Sequence, residues 1–274
     1  MELAAYLDRI GFAGCPEPDL ATLRRIQRGH LENIPYENLD VQLGRPVTLE
    51  PRDAFAKLVT ARRGGWCYEM NGVFRWALET IGFRVMAMTG AVLRAERGDA
   101  AIGNHLALTV ELDQPYLVDV GLGDGPSEPI PLGEGRYWQG WRELGLEPLA
   151  DGWWRFHNHD RAFATSFDFR REPADWALLA EKCHWLQSDP DSRFVQNAVC
   201  LRHEPDGVVA LVGRVLKQVT ANGTEDQELS SAEAYAEALA ERFGIRLPQA
   251  AALWPQIARR HEELFGDSSN DNRV

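Results

Sequence analysis

Cysteine is scarce in this chain, and the four present stand far apart, at positions 15, 67, 183 and 200 of 274. Such spacing excludes a disulfide framework, suits a reducing compartment and leaves individual thiols free to react. Long apolar runs are missing as well: nothing approaches the roughly 18 consecutive apolar residues of a membrane span. Glu2 and Asp8 stand where a secretory signal needs positive charge before an apolar core, so the expected location is cytoplasmic. Basic excess is absent. The formal net charge is −12, whereas phosphate backbones are bound by basic surfaces, which argues against nucleic acid as a partner. No internal repeat or low-complexity linker divides the chain, so its parts are expected to pack as one unit. With 45% hydrophobic and 26% charged residues it is large enough for a sizeable core, and only the polar tail 267–274 reads as disordered.

What is present is one run, Arg63-Gly64-Gly65-Trp66-Cys67-Tyr68-Glu69-Met70-Asn71, in which a glycine pair opens into an amphipathic segment. After Gly65, the apolar residues Met70, Val73, Phe74, Ala77, Leu78 and Ile81 recur at helical steps, placing Cys67 in a first helical turn. Unpaired N–H groups and the positive dipole end there favour thiolate, and the glycines let a backbone or ligand approach closely.

A thiol nucleophile needs a base, and the base an orienting partner. The segment from His105 to Leu112 alternates like a strand, 113–115 breaks it, and 116–120 reads as a returning strand that carries Asp119 into otherwise apolar surroundings. In the order Cys67, His105, Asp119, imidazole would deprotonate the thiol while the carboxylate holds the other ring nitrogen. The register decides whether the two can meet. A two-residue turn puts His105 and Asp119 on opposite faces, and a turn at 113–115 pairs Asp119 with Thr109, roughly 13 Å along the strand from His105. A loop over 111–115 pairs Asp119 with Ala107 and makes His105 its diagonal neighbour at roughly 7–8 Å, a gap two polar side chains can close. The longer loop or a bulge is therefore expected.

These residues resemble the arylamine N-acetyltransferase family. The resemblance rests on the Arg63–Asn71 run, on Asn104-His105-Leu106, on the segment from Tyr116 to Gly123, and on the segment from His30 to Leu39. It implies an α+β fold with an N-terminal helical bundle, a central β-barrel-like sheet, a C-terminal α/β lid and a cysteine-protease-like catalytic core. It also implies acetyl-CoA as acyl donor, an arylamine or arylhydrazine as acceptor, ping-pong transfer through acyl-Cys67, and Tyr36 and Leu122 lining the pocket. Family members commonly carry phenylalanine where this chain has Leu122, and the stretch Asp124-Gly125-Pro126 departs too, so the acceptor range is the open point. Coenzyme A is polyanionic, and Arg94, Arg97, Arg170, Arg171, Arg214 and Lys217 are available to meet it against the acidic global field.

Three parts follow from the pattern. Residues 1–84 read as a helical domain carrying the nucleophile, with Leu20, Leu23, Ile26, Gln27, His30 and Leu31 on one helix face. Residues 85–193 read as a β-rich domain with strands at 85–92, 105–112, 116–120 and 161–170. Residues 194–274 read as an α/β lid with strands at 195–202 and 208–219, helices at about 231–243 and 249–264, and the polar tail. No metal is expected, because His157-Asn158-His159 and Cys183-His184 lack well-spaced further ligands. The glycines of 121–125 form no dinucleotide fingerprint, since Pro126 and Pro129 break the helix that should follow; a close-approach loop beside the active site is expected instead. Trp138, Trp141, Trp153 and Trp154 read as core and sheet packing. Two alternatives stay open: an amide synthase or cysteine hydrolase using the same three residues, and a catalytically silent binding protein with a structural Cys67.

Overall fold

A computed structural model describes residues 1–266; the tail 267–274 lies outside the described residues. The fold is α+β, with helices first, two antiparallel sheets next and two helices last. The helix Leu20–Asn33 buries Leu23, Ile26, Gln27, His30 and Leu31 as its periodicity predicts, with Thr22 joining them; the Asp19 side chain caps it by accepting from the Thr22 N–H at 2.7 Å. The helix Cys67–Ile81 buries Met70, Val73, Phe74, Ala77 and Leu78 against it.

Eight strands form a sheet that curls into a nearly closed barrel. In chain order they are β2 (Arg84–Val92), β3 (His105–Glu111), β4 (Pro115–Val118), β5 (Ile130–Pro131), β6 (Gly135–Gln139), β7 (Arg142–Pro148), β8 (Trp153–His157) and β9 (Ser166–Arg170). Strand β3 is buried on both faces. Leu106, Leu108 and Val110 join the helical core, while Ala107 faces Leu117, Phe156, Phe167 and Phe169 inside the barrel. A second sheet runs β1-β10-β11-β12-β13, where β1 is Tyr36–Glu37, β10 Val199–Glu204, β11 Gly207–Val212, β12 Val215–Thr220 and β13 Gly223–Glu228. Helices Ala232–Phe243 and Trp254–Phe265 cover its other face. Because β1 comes from the N-terminal segment and pairs with β10 (Tyr36 opposite Leu201), the first and last parts of the chain share one sheet.

Several sequence expectations are corrected. Only Ser166–Arg170 of 161–170 is strand, since the Phe163 N–H is taken by the Asp124 carboxylate and cannot enter a ladder. The run 208–219 is two strands reversed at Gly213, whose φ of +57° suits glycine. A helix at Trp176–Ser188 interrupts the β-rich part: it buries only Leu179, Cys183 and Leu186, too sparse a stripe to read in advance. Strand β13 is nearly all polar, which hid it. Trp138 is 66% exposed rather than packed. Among the described residues no helix is long and apolar enough to cross a membrane.

Candidate active site

The loop before Cys67 is stitched to β1. Gly65 N–H donates to the Pro35 carbonyl at 3.2 Å, and Glu37 N–H to the Gly65 carbonyl at 2.9 Å. Gly64 crosses so closely that an added Cβ would lie 2.0 Å from the Pro35 oxygen, so its small size serves backbone approach rather than a ligand. Beneath it, Arg63 donates to the fully buried Glu37 carboxylate at 2.6 Å, and Lys57 bridges Asp40 at 2.9 Å and Glu69 at 3.0 Å. Glu69, three residues into the turn, accepts the Trp66 N–H at 3.2 Å and so fixes where the helix begins.

Cys67 is the first residue of that helix and is buried. Its thiol donates to the Asn104 carbonyl at 3.8 Å. Burial pushes the thiol above its ordinary range, only partly opposed by the backbone N–H groups of Leu106 and Tyr68, and the Asp119 charge adds to the rise. The helix terminus alone therefore does not ionise Cys67, contrary to the simplest reading of its position; desolvation outweighs it.

The hairpin pairs Leu108 with Val118, Thr109 with Leu117, Val110 with Tyr116 and Glu111 with Pro115. One step beyond the ladder, Asp119 falls opposite Ala107, the register expected from the longer loop. The ladder runs one pair further than expected, which leaves only 112–114 unpaired. His105 Nε2 and Asp119 Oδ2 lie 2.6 Å apart in full burial, and the ring leans on Phe167 at 5.0 Å between centroids. With Nε2 engaged, Nδ1 is the nitrogen left for the cleft. The other carboxylate oxygen accepts from Gly121 N–H at 2.7 Å and from Asn71 Nδ2 at 3.0 Å.

Asn71 carried no role in the sequence reading, yet it binds three partners. Besides Asp119, its amide donates to the Leu106 carbonyl at 2.6 Å and its oxygen accepts Val120 N–H at 3.0 Å. It lies four residues after Cys67, hence on the same helix face, and that spacing was the available signal. Gly121 brings the hairpin end against the helix: a Cβ there would sit 2.7 Å from both Cys67 Cα and Asn71 Nδ2. The loop 121–125 thus does approach the site closely.

Cys67 and His105 open onto a cleft of about 460 Å³, also lined by Tyr36, Leu122, Phe163, Trp185 and Phe194. Tyr36 reaches it because β1 lies between the Cys67 loop, through a bridge to Gly65, and β10. A larger groove of about 750 Å³ beside the helix Trp254–Phe265 lacks the nucleophile, so size does not locate the chemistry. Of the six cations available for an anionic donor, four are tied to carboxylates: Arg94 to Asp99 and Asp168, Arg171 to Glu111, Arg214 to Glu228 and Lys217 to Asp226. Arg170 stacks over Trp153 at 4.8 Å. Arg97 lines the cleft, as does Arg193, which the sequence reading did not single out; each is exposed and without an ion-pair partner among the described residues, and Asp191 is the carboxylate on the same lining. His157 pairs with Glu147 at 2.8 Å and His159 packs on Trp141 at 5.0 Å. Among the described residues no group of three or more potential ligands could hold a metal.

A family model described as N-acetyltransferase matches residues 19–252. The arylamine N-acetyltransferase of Mycolicibacterium smegmatis is 36% identical over 262 residues, 90% of this chain and 93% of that one. Arylamine N-acetyltransferase 1 of Homo sapiens is 28% identical over 253 residues, 84% and 87% of the two chains. The structure of Mycobacterium marinum arylamine N-acetyltransferase in complex with CoA superposes with a TM-score of 0.86 at 30% identity, covering 94% of this chain and 99% of that one.

Proposed function

The chain belongs to the arylamine N-acetyltransferase family, and from that premise we propose that Cys67 is its acyl-accepting nucleophile, His105 the base and Asp119 the orienting carboxylate. The protein transfers an acetyl group from acetyl-CoA to an arylamine, on an α+β fold with a cysteine-protease-like core. The observation that carries the residue assignment is that Cys67 and His105 open onto one cleft, with the Asp119 carboxylate buried 2.6 Å from the His105 ring.

In the first half-reaction His105 takes the thiol proton and the Cys67 sulfur attacks the carbonyl carbon of the donor thioester. The C–S bond to coenzyme A then breaks, and the leaving thiolate takes the proton back from the imidazolium. In the second, the amine nitrogen attacks acetyl-Cys67, its proton passes to His105, and the Cys67 sulfur leaves. Asp119 stabilises the imidazolium in both, and Asn71 and Gly121 hold Asp119 in place. An arylamine or arylhydrazine is neutral near pH 7, so its lone pair is free without a further base. Tyr36 and Leu122 serve as pocket lining, and Arg97 and Arg193 face the donor's phosphates. In the same reading residues 1–84 present the nucleophile, 85–193 the base and its partner, and 194–274 act as lid. The net charge of −12 and the free cysteines support a cytoplasmic protein that does not bind nucleic acid.

Intact mass after incubation with acetyl-CoA should show one added acetyl group on the wild type and none on Cys67→Ala. A Cys67→Ala protein that acetylates arylamines at the wild-type rate would sink the assignment.

A further inference from the structure

Four aromatic side chains line the Cys67 cleft, and three are already engaged. Tyr36 is 92% buried, Phe194 packs edge-on against Trp66 at 5.3 Å, and Trp185 carries the Lys182 ammonium over its ring at 5.4 Å. Phe163 is as exposed as Trp185, 40% each, but it alone of the four is neither buried nor given a ring or cation partner among the described residues. It stands in the loop 158–165, outside any strand, so something must define its position.

That something is Asp124. Its carboxylate is 2% exposed and makes no ion pair among the described residues, an expensive arrangement unless hydrogen bonds offset it. Oδ2 accepts the Phe163 N–H at 2.6 Å. Asn158 Nδ2 approaches Oδ1 at 3.4 Å and the Asp124 carbonyl at 3.5 Å, and donates to the Ala164 carbonyl at 3.0 Å. Asn158 N–H donates to the Thr165 carbonyl at 2.8 Å, closing the loop on itself. Arg142 anchors the other side by donating to the Gly125 carbonyl at 3.1 Å. Burial pushes the carboxyl from its ordinary 3.8 to about 7, with the Phe163 N–H and Arg142 opposing the rise. Asp124 lies two residues after Leu122, which lines the same cleft, so one buried side chain fixes the spacing between an aliphatic wall and an aromatic one.

We infer that Phe163 is the aromatic face on which the acceptor amine stacks, and that Asp124 is the positioning residue that holds it there. Leu122 offers no ring, and Phe163 supplies one from the neighbouring loop. The inference deepens the acyltransferase reading and rests on it.

The test separates the two half-reactions. Acetyl loading of Cys67 by acetyl-CoA, read by intact mass, checks the acyltransferase reading alone; if the wild type does not load, that reading fails. With loading intact, Phe163→Leu should raise the KM for a two-ring amine about two- to tenfold more than for a one-ring amine, the range of a lost aromatic contact. Asp124→Ala, which removes the acceptor of the Phe163 N–H, should produce the same selective loss while still loading acetyl, and the double variant should lose no more than either single one, because both act through one ring. Should Asp124→Ala fail to load, Asn158→Ala takes its place in the cycle. An unchanged ratio of two-ring to one-ring KM in Phe163→Leu overturns the role of the ring. Multiplicative losses in the double variant overturn the role of Asp124.

Discussion

Cys67 sits where two residue-scale effects oppose each other. A helix N-terminus draws the thiol towards thiolate, while burial drives it the other way and prevails. In the proposed mechanism His105 offsets that cost by taking the thiol proton, with Asp119 stabilising the resulting imidazolium. Replacing His105 or Asp119 by Ala should therefore move the pH midpoint of Cys67 alkylation to the alkaline side: less imidazolium means less thiolate at any given pH. The rate at pH 7 should fall roughly tenfold for each unit the midpoint moves. Superimposable profiles for wild type and both variants would remove His105 and Asp119 from the mechanism. In the same proposal Asn71 acts one step back, through its hydrogen bond to Asp119. Loss of a hydrogen bond to a charged group costs about 1.5–3 kcal/mol, so Asn71→Ala should slow acetyl loading roughly 10- to 100-fold. Single-turnover loading at saturating donor checks this, and a wild-type rate would leave Asn71 a purely structural role.

At the scale of elements, the site is a join between a hairpin and a helix start. The hairpin was legible because strand pairing has a period of two: of the registers weighed, one brings His105 and Asp119 to the same face within reach, and the ladder adopts it. The helix start was legible from its apolar spacing. The close approach of the loop 121–125 was legible from its glycines, but its contact partners were not, because Gly121 is distant in sequence from Cys67 and Asn71 and only docking shows that no side chain fits between them. Gly121→Ala should destabilise the fold by about 1–3 kcal/mol, the usual cost of overpacking, and slow acetyl loading as well. Chemical denaturation and loading kinetics on one preparation test both effects. A variant as stable and as fast as wild type would mean that the join yields without cost.

Across the whole molecule, a chain of net charge −12 must admit a polyanionic donor. Ion pairing and stacking remove five of the six cations the sequence offered, and folding adds Arg193 from a distant segment beside Arg97. Initial velocities address this and the reaction order together. Reciprocal plots at several donor concentrations should be parallel, whereas intersecting lines would indicate direct transfer in a ternary complex without acyl-Cys67. In the same plots Arg97→Gln and Arg193→Gln should each raise the acetyl-CoA KM by at most about fivefold, the scale of an exposed ion pair. An unchanged donor KM in both variants would separate the arginines from the phosphates.

The sequence by itself determined what depends on short-range order: the helix that begins at Cys67, the hairpin register that aligns His105 with Asp119, and the motif blocks that mark the family. Periodicity and turn length are local quantities, readable without knowing what packs against what. Tertiary structure decided the rest. The β1–β10 pairing that brings Tyr36 to the cleft, the three contacts of Asn71 and the Asp124 bond that lifts Phe163 out of the strand predicted for it all join residues far apart in the chain. Burial decided the charge balance as well. The same thiol that helix position favours as an anion is held back once water is removed from around it, and only the folded neighbourhood fixes how much water remains.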